Sequence, residues 1–197
     1  MLFRSADIFD RLHVRYMLGG SLASATFGEP RTTLDIDFVA DLQSTHVATF
    51  LAMLGTEFFA DAEWIEREVR ARGSFQIVHR GTMMRVDFFV PPWVGLDLWK
   101  WEHRRRIELP GAGGGAIDVT SAEGIVLQKL RWFDAGGRVS ERQWRDVLGV
   151  LKAQRSVLDV AAMSDWARQL GLVELLQKQT EILGKAFEKK DKPKSSV

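Results

Sequence analysis

The chain of 197 residues predicts an α/β (α+β) fold, a mixed sheet flanked by helices and followed by a C-terminal helical bundle. Three observations carry this. Short runs with strand-like alternation interleave with helical stretches up to about residue 120, and beyond Ser121 only helical periodicity remains. Hydrophobic residues make up 46% of the chain at a formal net charge of +1, which suits a packed core and argues against wholesale disorder.

Taken in order, residues 6–13 read as helix and Val14 to Leu18 as a short buried strand ending at Gly19-Gly20. Ser21 is a fair N-cap for a small, Ala-rich helix over 21–27. Leu34 to Ala40 (LDIDFVA) alternates as a strand should. Helices are expected over 45–54, with Leu51 and Leu54 on one side, and over 61–71. Strands are expected over 74–79 and 83–90, joined by a turn at Arg80-Gly81 and closed by Pro91-Pro92. Residues 93–103 suit a helix and 104–109 an extended segment. GAGGG at 111–115 then makes a flexible tip before a strand over 116–119. Four helices follow at about 121–134, 140–153, 160–169 and 172–187. The expected organisation is a catalytic α/β region over 1–120, a helical region over 121–187 that completes its cleft, and a disordered tail over 188–197.

Composition excludes several functions. Without cysteine there is no disulfide framework, thiolate zinc site or cysteine nucleophile. No apolar stretch approaches the ~18 residues of a membrane span, and charges interrupt the first 15 residues too often for a signal-peptide core. These features predict a cytoplasmic protein with no membrane partner; they leave the oligomeric state open. Residues 1–99 hold nine Arg, no Lys and 13 acidic residues, a net of −4, while residues 100–197 hold 18 basic and 13 acidic residues, a net of +5. Lys185 to Lys194 alone supplies +3 of that, so the basic bias of the second half is weak.

The chemistry concentrates in Gly19 to Asp37, GGSLASATFGEPRTTLDID. Each piece alone is commonplace. Strand, Gly-Gly-Ser, short helix and Arg-x-Thr-x-Asp-Ile-Asp in that order arise by chance in on the order of one in ten thousand chains. Gly19 and Gly20 lack a β-carbon, so their backbone N–H groups can approach a phosphate. The helix opening at Ser21 turns unpaired N–H groups towards an anion, and the Ser21 hydroxyl can add one more donor. Asp35 and Asp37 lie two apart on a strand and share one face. Carboxylates ~4 Å apart repel by roughly 4 kcal/mol at an effective dielectric of ~20, a cost a divalent cation removes. Hard oxygen donors with neither Cys nor His nearby favour magnesium or manganese over zinc. A third carboxylate is expected on a neighbouring strand, and Asp87 in MRVDFFV supplies it on one face with Arg85. The plainer alternative for Asp87 is a carboxylate satisfied by Arg85 or by backbone.

This block resembles the nucleotidyltransferases of the DNA polymerase β superfamily. Over roughly residues 14–153 the chain is similar to the bacterial AbiEii-type, or MenA-like, toxin nucleotidyltransferases. The resemblance implies a nucleotidyltransferase-like fold and an enzyme that moves an NMP from an NTP to an acceptor hydroxyl and releases pyrophosphate. It implies that Gly19, Gly20 and Ser21 hold the triphosphate with Arg31 and Thr33 alongside. Asp35 and Asp37 would hold two Mg2+ (or Mn2+) ions, and Asp87 would share one and activate the acceptor. Lys129 and Asp146 match two later helical motifs, which implies catalytic roles for both, Lys129 neutralising triphosphate charge; their plainer alternatives are a solvated helix face and an ion pair with Arg142 or Arg145. Leu22 departs from the small residue common there and can narrow the pocket. The resemblance further implies an RNA acceptor, the tRNA 3′ end, in a toxin–antitoxin setting with a cognate antitoxin protein. A small metabolite or a protein hydroxyl are the alternative acceptors, and a non-catalytic nucleotide-binding module is the alternative to an enzyme.

Other features carry less. His13, His46, His79 and His103 have no metal-ligand spacing. KWEHRRR at 100–106 suits either an RNA backbone or a solvated helix end with Trp101 packed. The seven Trp are expected to pack in the core and at the seam rather than to stack on bases.

Overall fold

The computed structural model describes residues 2–30, 32–33, 35–108 and 115–190, with side chains described as far as residue 184. The chain divides into two compact units, Met1–Ala23 with Arg31–Ser121, and Ser24–Pro30 with Ala122–Val197.

The first unit is built on a seven-stranded mixed sheet in the order β3-β4-β5-β2-β1-β7-β6. Helix α1 (Leu2–Arg11) precedes β1 (Tyr16–Leu18), α2 (Gly20–Phe27) and β2 (Asp35–Ala40). Then come α3 (Ser44–Leu54), β3 (Phe58–Phe59), α4 (Ala62–Arg70), β4 (Ser74–His79), β5 (Arg85–Phe89), α5 (Leu96–Glu102), β6 (Arg105–Glu108) and β7 (Ala116–Val119). β2 runs antiparallel to β1 and parallel to β5, which pairs antiparallel with β4.

Strand alternation decides what each face of the sheet does. Ile36 and Phe38 on β2, Val86 and Phe88 on β5, and Phe75 and Ile77 on β4 are buried on one face. There Phe9 of α1 lies 5.5 Å from Phe38, 5.8 Å from Phe50 of α3 and 5.7 Å from Phe88, a ring cluster in edge-on and stacked geometries. Asp35, Asp37, Arg85, Asp87, Ser74 and Gln76 take the opposite face. At one end of that second face buried Met17, Val39 and Trp93 pack with Phe89 and Trp101. Caps fix the helix starts: Asp61 accepts from the Trp64 N–H at α4, and Gln43 and His46 form a capping box at α3.

The second unit comprises α6 (Ala122–Ala135), α7 (Glu141–Gln154), α8 (Val160–Leu170) and α9 (Val173–Lys190), with residues 24–30 packed on α7. Gly28 sits so close that an added Cβ would lie 3.0 Å from the Val150 nitrogen, and Gln154 Nε2 donates to the Phe27 carbonyl at 2.9 Å. Glu123 is buried and accepts from the Asp159 N–H at 3.1 Å, tying α6 to the start of α8.

Several boundaries differ from expectation. α1 begins at Leu2 rather than residue 6 because Ser5, Ala6, Ile8 and Phe9 form one buried stripe. α2 begins at Gly20, so Ser21 lies in its first turn instead of capping it. In α3 the buried stripe is Val47, Phe50 and Leu54, with Leu51 half-buried. α9 continues through Lys190, so residues 188–190 are helical. The two-residue edge strand β3 is too short to register as alternation. Residues 111–114 of the expected tip and 191–197 of the expected tail lie outside the described residues.

Candidate active site

The site is assembled by strand register. β2 and β5 run parallel with Asp35 opposite Arg85 and Asp37 opposite Asp87. Neighbouring strands lie ~4.8 Å apart, so Asp37 and Asp87 stand side by side on one face, both half-buried.

Each carboxylate has a different environment. Asp35 accepts from Arg85 through Nε at 3.1 Å and Nη2 at 2.8 Å, both to Oδ1. Asp37 Oδ2 accepts from the Ser21 N–H at 3.3 Å, in the first turn of α2. Burial pushes the Asp87 carboxyl up from the usual aspartate range, with the Asp37 charge adding to it, Arg85 opposing it and Asp35 contributing further. Arg85 therefore bonds Asp35, whereas the plainer alternative had it satisfying Asp87.

The turn that joins β1 to α2 is shaped by the same acid. Gly20 has φ +56°, and a Cβ built there would fall 1.9 Å from Asp37 Oδ2. Glycine is required at 20 because the Asp37 carboxylate occupies the space of a side chain. Gly19 is different: its added Cβ would make an ordinary 3.6 Å contact with Val39.

These donors fit a hard divalent cation chemically. They are oxygen ligands, one of whose carboxyls is raised by burial and then by its neighbour's charge, and three of the four histidines are engaged elsewhere. His46 caps α3, His79 lies 2.9 Å from the Thr82 hydroxyl, and His103 Nδ1 is 2.8 Å from the Trp99 carbonyl. As they stand, no three acidic or imidazole side chains among the described residues are gathered as a ligand cluster. Arg85 holding Asp35 is the contact that gathering the three aspartates would have to replace.

The remaining expected site residues divide. Thr33 Oγ1 accepts from the Asp35 N–H at 3.3 Å, which shapes the lead into β2. Arg31 lies outside the described residues. Lys129 and Asp146 are brought to each other within the second unit, Nζ to Oδ2 at 2.8 Å with side chains only 3% and 9% exposed. Gln143 Oε1 accepts from the same Nζ at 3.2 Å. Asp146 is thus held in a buried pair with Lys129, and Lys129 is not on a solvated helix face.

The KWEHRRR stretch is largely absorbed by local contacts. Lys100 is buried and pairs with Asp97 at 2.7 Å. Arg104 stacks on Trp101 at 3.7 Å and donates to Asp118 at 2.7 Å, and Arg106 reaches the same carboxylate at 3.4 Å. Trp93 and Trp101 meet edge-on at 5.6 Å in the apolar end of the face. Sequence reasoning missed the grip of Arg85 on Asp35 and the alignment of Gln76 with Asp87. The alternation of SFQIVH, which sets Ser74 and Gln76 on the polar face, is the signal for the second.

No protein-family model matches the sequence, and no curated protein is similar to it. Solved structures share its fold. The antigenic nucleotidyltransferase-like protein of Paracoccidioides brasiliensis superposes with a TM-score of 0.57 at 16% identity, covering 93% of this chain and 89% of that one. The antibiotic-resistance factor ANT(2'')-Ia, in its solution structure, superposes with a TM-score of 0.52 at 14% identity over 95% of each chain. The fold is nucleotidyltransferase-like. No helix among the described residues is long and apolar enough to cross a membrane.

Proposed function

We propose that this chain is a metal-dependent nucleotidyltransferase that moves the NMP of a nucleoside triphosphate onto an acceptor hydroxyl and releases pyrophosphate. The observation that carries the reading is the side-by-side placement of Asp37 and Asp87, with Asp37 seated on the Gly20-Ser21 turn.

Asp35, Asp37 and Asp87 would hold Mg2+ or Mn2+, which supplies charge neutralisation for entering and leaving oxygens. The turn and first N–H groups of α2 face the anionic triphosphate, where helix-end donors favour negative charge. Ser21 would add its hydroxyl, and Arg31 and Thr33 would flank the phosphates. Burial raises the Asp87 carboxyl above the usual aspartate range, which suits it to take the acceptor proton. The acceptor hydroxyl oxygen then bonds to the α-phosphorus as the bond to the bridging oxygen breaks, and pyrophosphate leaves with that electron pair. Lys129 and Asp146 serve as a positioning pair that fixes α6 against α7.

A tRNA 3′ end in a toxin–antitoxin setting is the acceptor suggested by the resemblance. A small hydroxylated molecule is favoured by one observation: Lys100, Arg104 and Arg106 are tied to Asp97 and Asp118 instead of forming a backbone-binding cluster. The test is label transfer from α-labelled triphosphates to RNA, protein and small-molecule fractions. Label should move with Mg2+ and stop with EDTA, and transfer surviving in Asp35→Ala or Asp87→Ala refutes the assignment. Nucleotide-dependent heat stabilisation without any transfer marks a non-catalytic binding module instead.

A further inference from the structure

The sheet order ranks the site's parts along one line. From the phosphate turn at the end of β1 the sequence across the face is Asp35 and Asp37 on β2, Asp87 on β5, then Ser74 and Gln76 on β4. At ~4.8 Å per strand, β4 lies roughly 14 Å from β1 and one strand beyond Asp87. In-line displacement sets the entering oxygen opposite the leaving pyrophosphate. With pyrophosphate at the Gly20-Ser21 turn, the acceptor oxygen arrives on the Asp87 side, and the body of the acceptor extends over β4.

What the acceptor meets there is defined. Gln76 pairs in register with Asp87, and Ser74 with Phe89, and both polar side chains are exposed on the carboxylate face. The next residue on that face, Val78, is apolar and half-buried. Among the described residues the cations of this flank belong to other strands and loops: Arg85 on β5 holds Asp35 in the metal-free protein, and Arg72 is tied to Asp41 and Gln43. Arg80, at the hairpin, lies over the Phe59 ring at 5.7 Å. Among the described residues the strip thus offers an amide and a hydroxyl, both able to donate and accept, and no cation on β4 itself.

We infer that Ser74 and Gln76 on β4 form the acceptor-binding strip, with Gln76 the specificity-determining residue, and that the strip takes a neutral polyhydroxylated small molecule. This rests on the nucleotidyltransferase reading above. An amide reads a pair of vicinal hydroxyls by donating to one oxygen and accepting from the other, which leaves the third hydroxyl to Asp87. A phosphate-rich acceptor would need cationic groups on this strip for charge-assisted contacts.

The test uses the full chain. Heat stabilisation by Mn2+ with α,β-methylene-ATP, -GTP, -CTP and -UTP reads nucleotide binding. Label transfer from the four α-labelled triphosphates to ribose, glucose, inositol and glycerol, and to total tRNA, reads the acceptor. Gln76→Ala should leave nucleotide stabilisation within twofold in concentration dependence and raise the KM for the neutral acceptor at least tenfold. Gln76→Lys should shift preference from glucose towards glucose 6-phosphate. An unchanged acceptor KM in Gln76→Ala, label appearing in tRNA, or nucleotide binding with transfer to none of these acceptors overturns the inference and leaves the nucleotide site standing. No stabilisation by any nucleotide, and no transfer, removes the nucleotidyltransferase reading itself.

Discussion

Replacing Asp87 with Asn should stabilise the metal-free protein while removing its activity. Asp37 and Asp87 occupy matched positions on adjacent parallel strands. Two charges ~5 Å apart repel by about 3 kcal/mol at an effective dielectric of ~20. Both side chains are only half-buried and Arg85 opposes the repulsion, so solvent screening and that cation reduce the gain to about 0.5–1.5 kcal/mol. At ~2–4 °C per kcal/mol for a chain of this size, melting in EDTA at pH 7 should rise by about 1–6 °C. The pH dependence has a fixed sign. The folded state binds the Asp87 proton more tightly than the unfolded chain, because burial and the Asp37 charge raise its pKa. Protonated Asp87 thus favours folding below the ordinary aspartate value of ~3.9, and that contribution is lost as pH rises through the raised value. The advantage of Asp87→Asn is therefore present at pH 7 and vanishes on acidification below about pH 4. Thermal melts across pH 3–8, with EDTA and with Mg2+, read all of this, and Mg2+ should stabilise the wild type more than the variant. A variant no more stable than wild type at pH 7 in EDTA, or one whose advantage persists at about pH 3, refutes the reasoning.

Three further outcomes are expected. Gly20→Ala should abolish triphosphate binding and destabilise the protein by more than 1 kcal/mol, because its Cβ meets Asp37 in a left-handed conformation, whereas Gly19→Ala should stay within about 1 kcal/mol in chemical denaturation. Lys129→Met should cost about 3–5 kcal/mol by removing the cation beside buried Asp146, and adding Asp146→Leu should recover most of it; additive losses in the double variant would disprove a direct pairing. Arg85→Gln should tighten Mn2+ binding several-fold in a calorimetric titration without nucleotide, since Asp35 is released from its guanidinium; unchanged or weaker binding would show that Arg85 does not compete with the ion.

The sheet and its polar face were legible in the sequence because strand alternation is a local property. DIDFVA and RVDFF each divide into a face that carries the acids and an apolar face without reference to any neighbour, and the structure keeps both divisions. Pairing between strands is not local. That Asp37 would stand beside Asp87 while Asp35 met Arg85 depends on a register between residues some 50 positions apart. The same is true of Gly20, whose two-glycine turn reads as a phosphate cradle in sequence but is also fitted around the Asp37 carboxylate. Lys129 stands in an apolar helical run, which marks it as unusual. Only the packing of α6 on α7 identifies Asp146 as its partner. For KWEHRRR the sequence left two readings open, because the acids that pair with Lys100, Arg104 and Arg106, Asp97 and Asp118, lie before and after the cluster.

The most direct measurement of the central claim is anomalous scattering from a crystal grown with Mn2+ and a non-transferable triphosphate. The account predicts a manganese peak about 2.0–2.3 Å from carboxylate oxygens of Asp37 and Asp87, with Asp35 drawn off Arg85 and the phosphates over the Gly20-Ser21 turn. Manganese bound elsewhere on the chain, with the Asp35–Arg85 contact intact and nucleotide away from that turn, would contradict it.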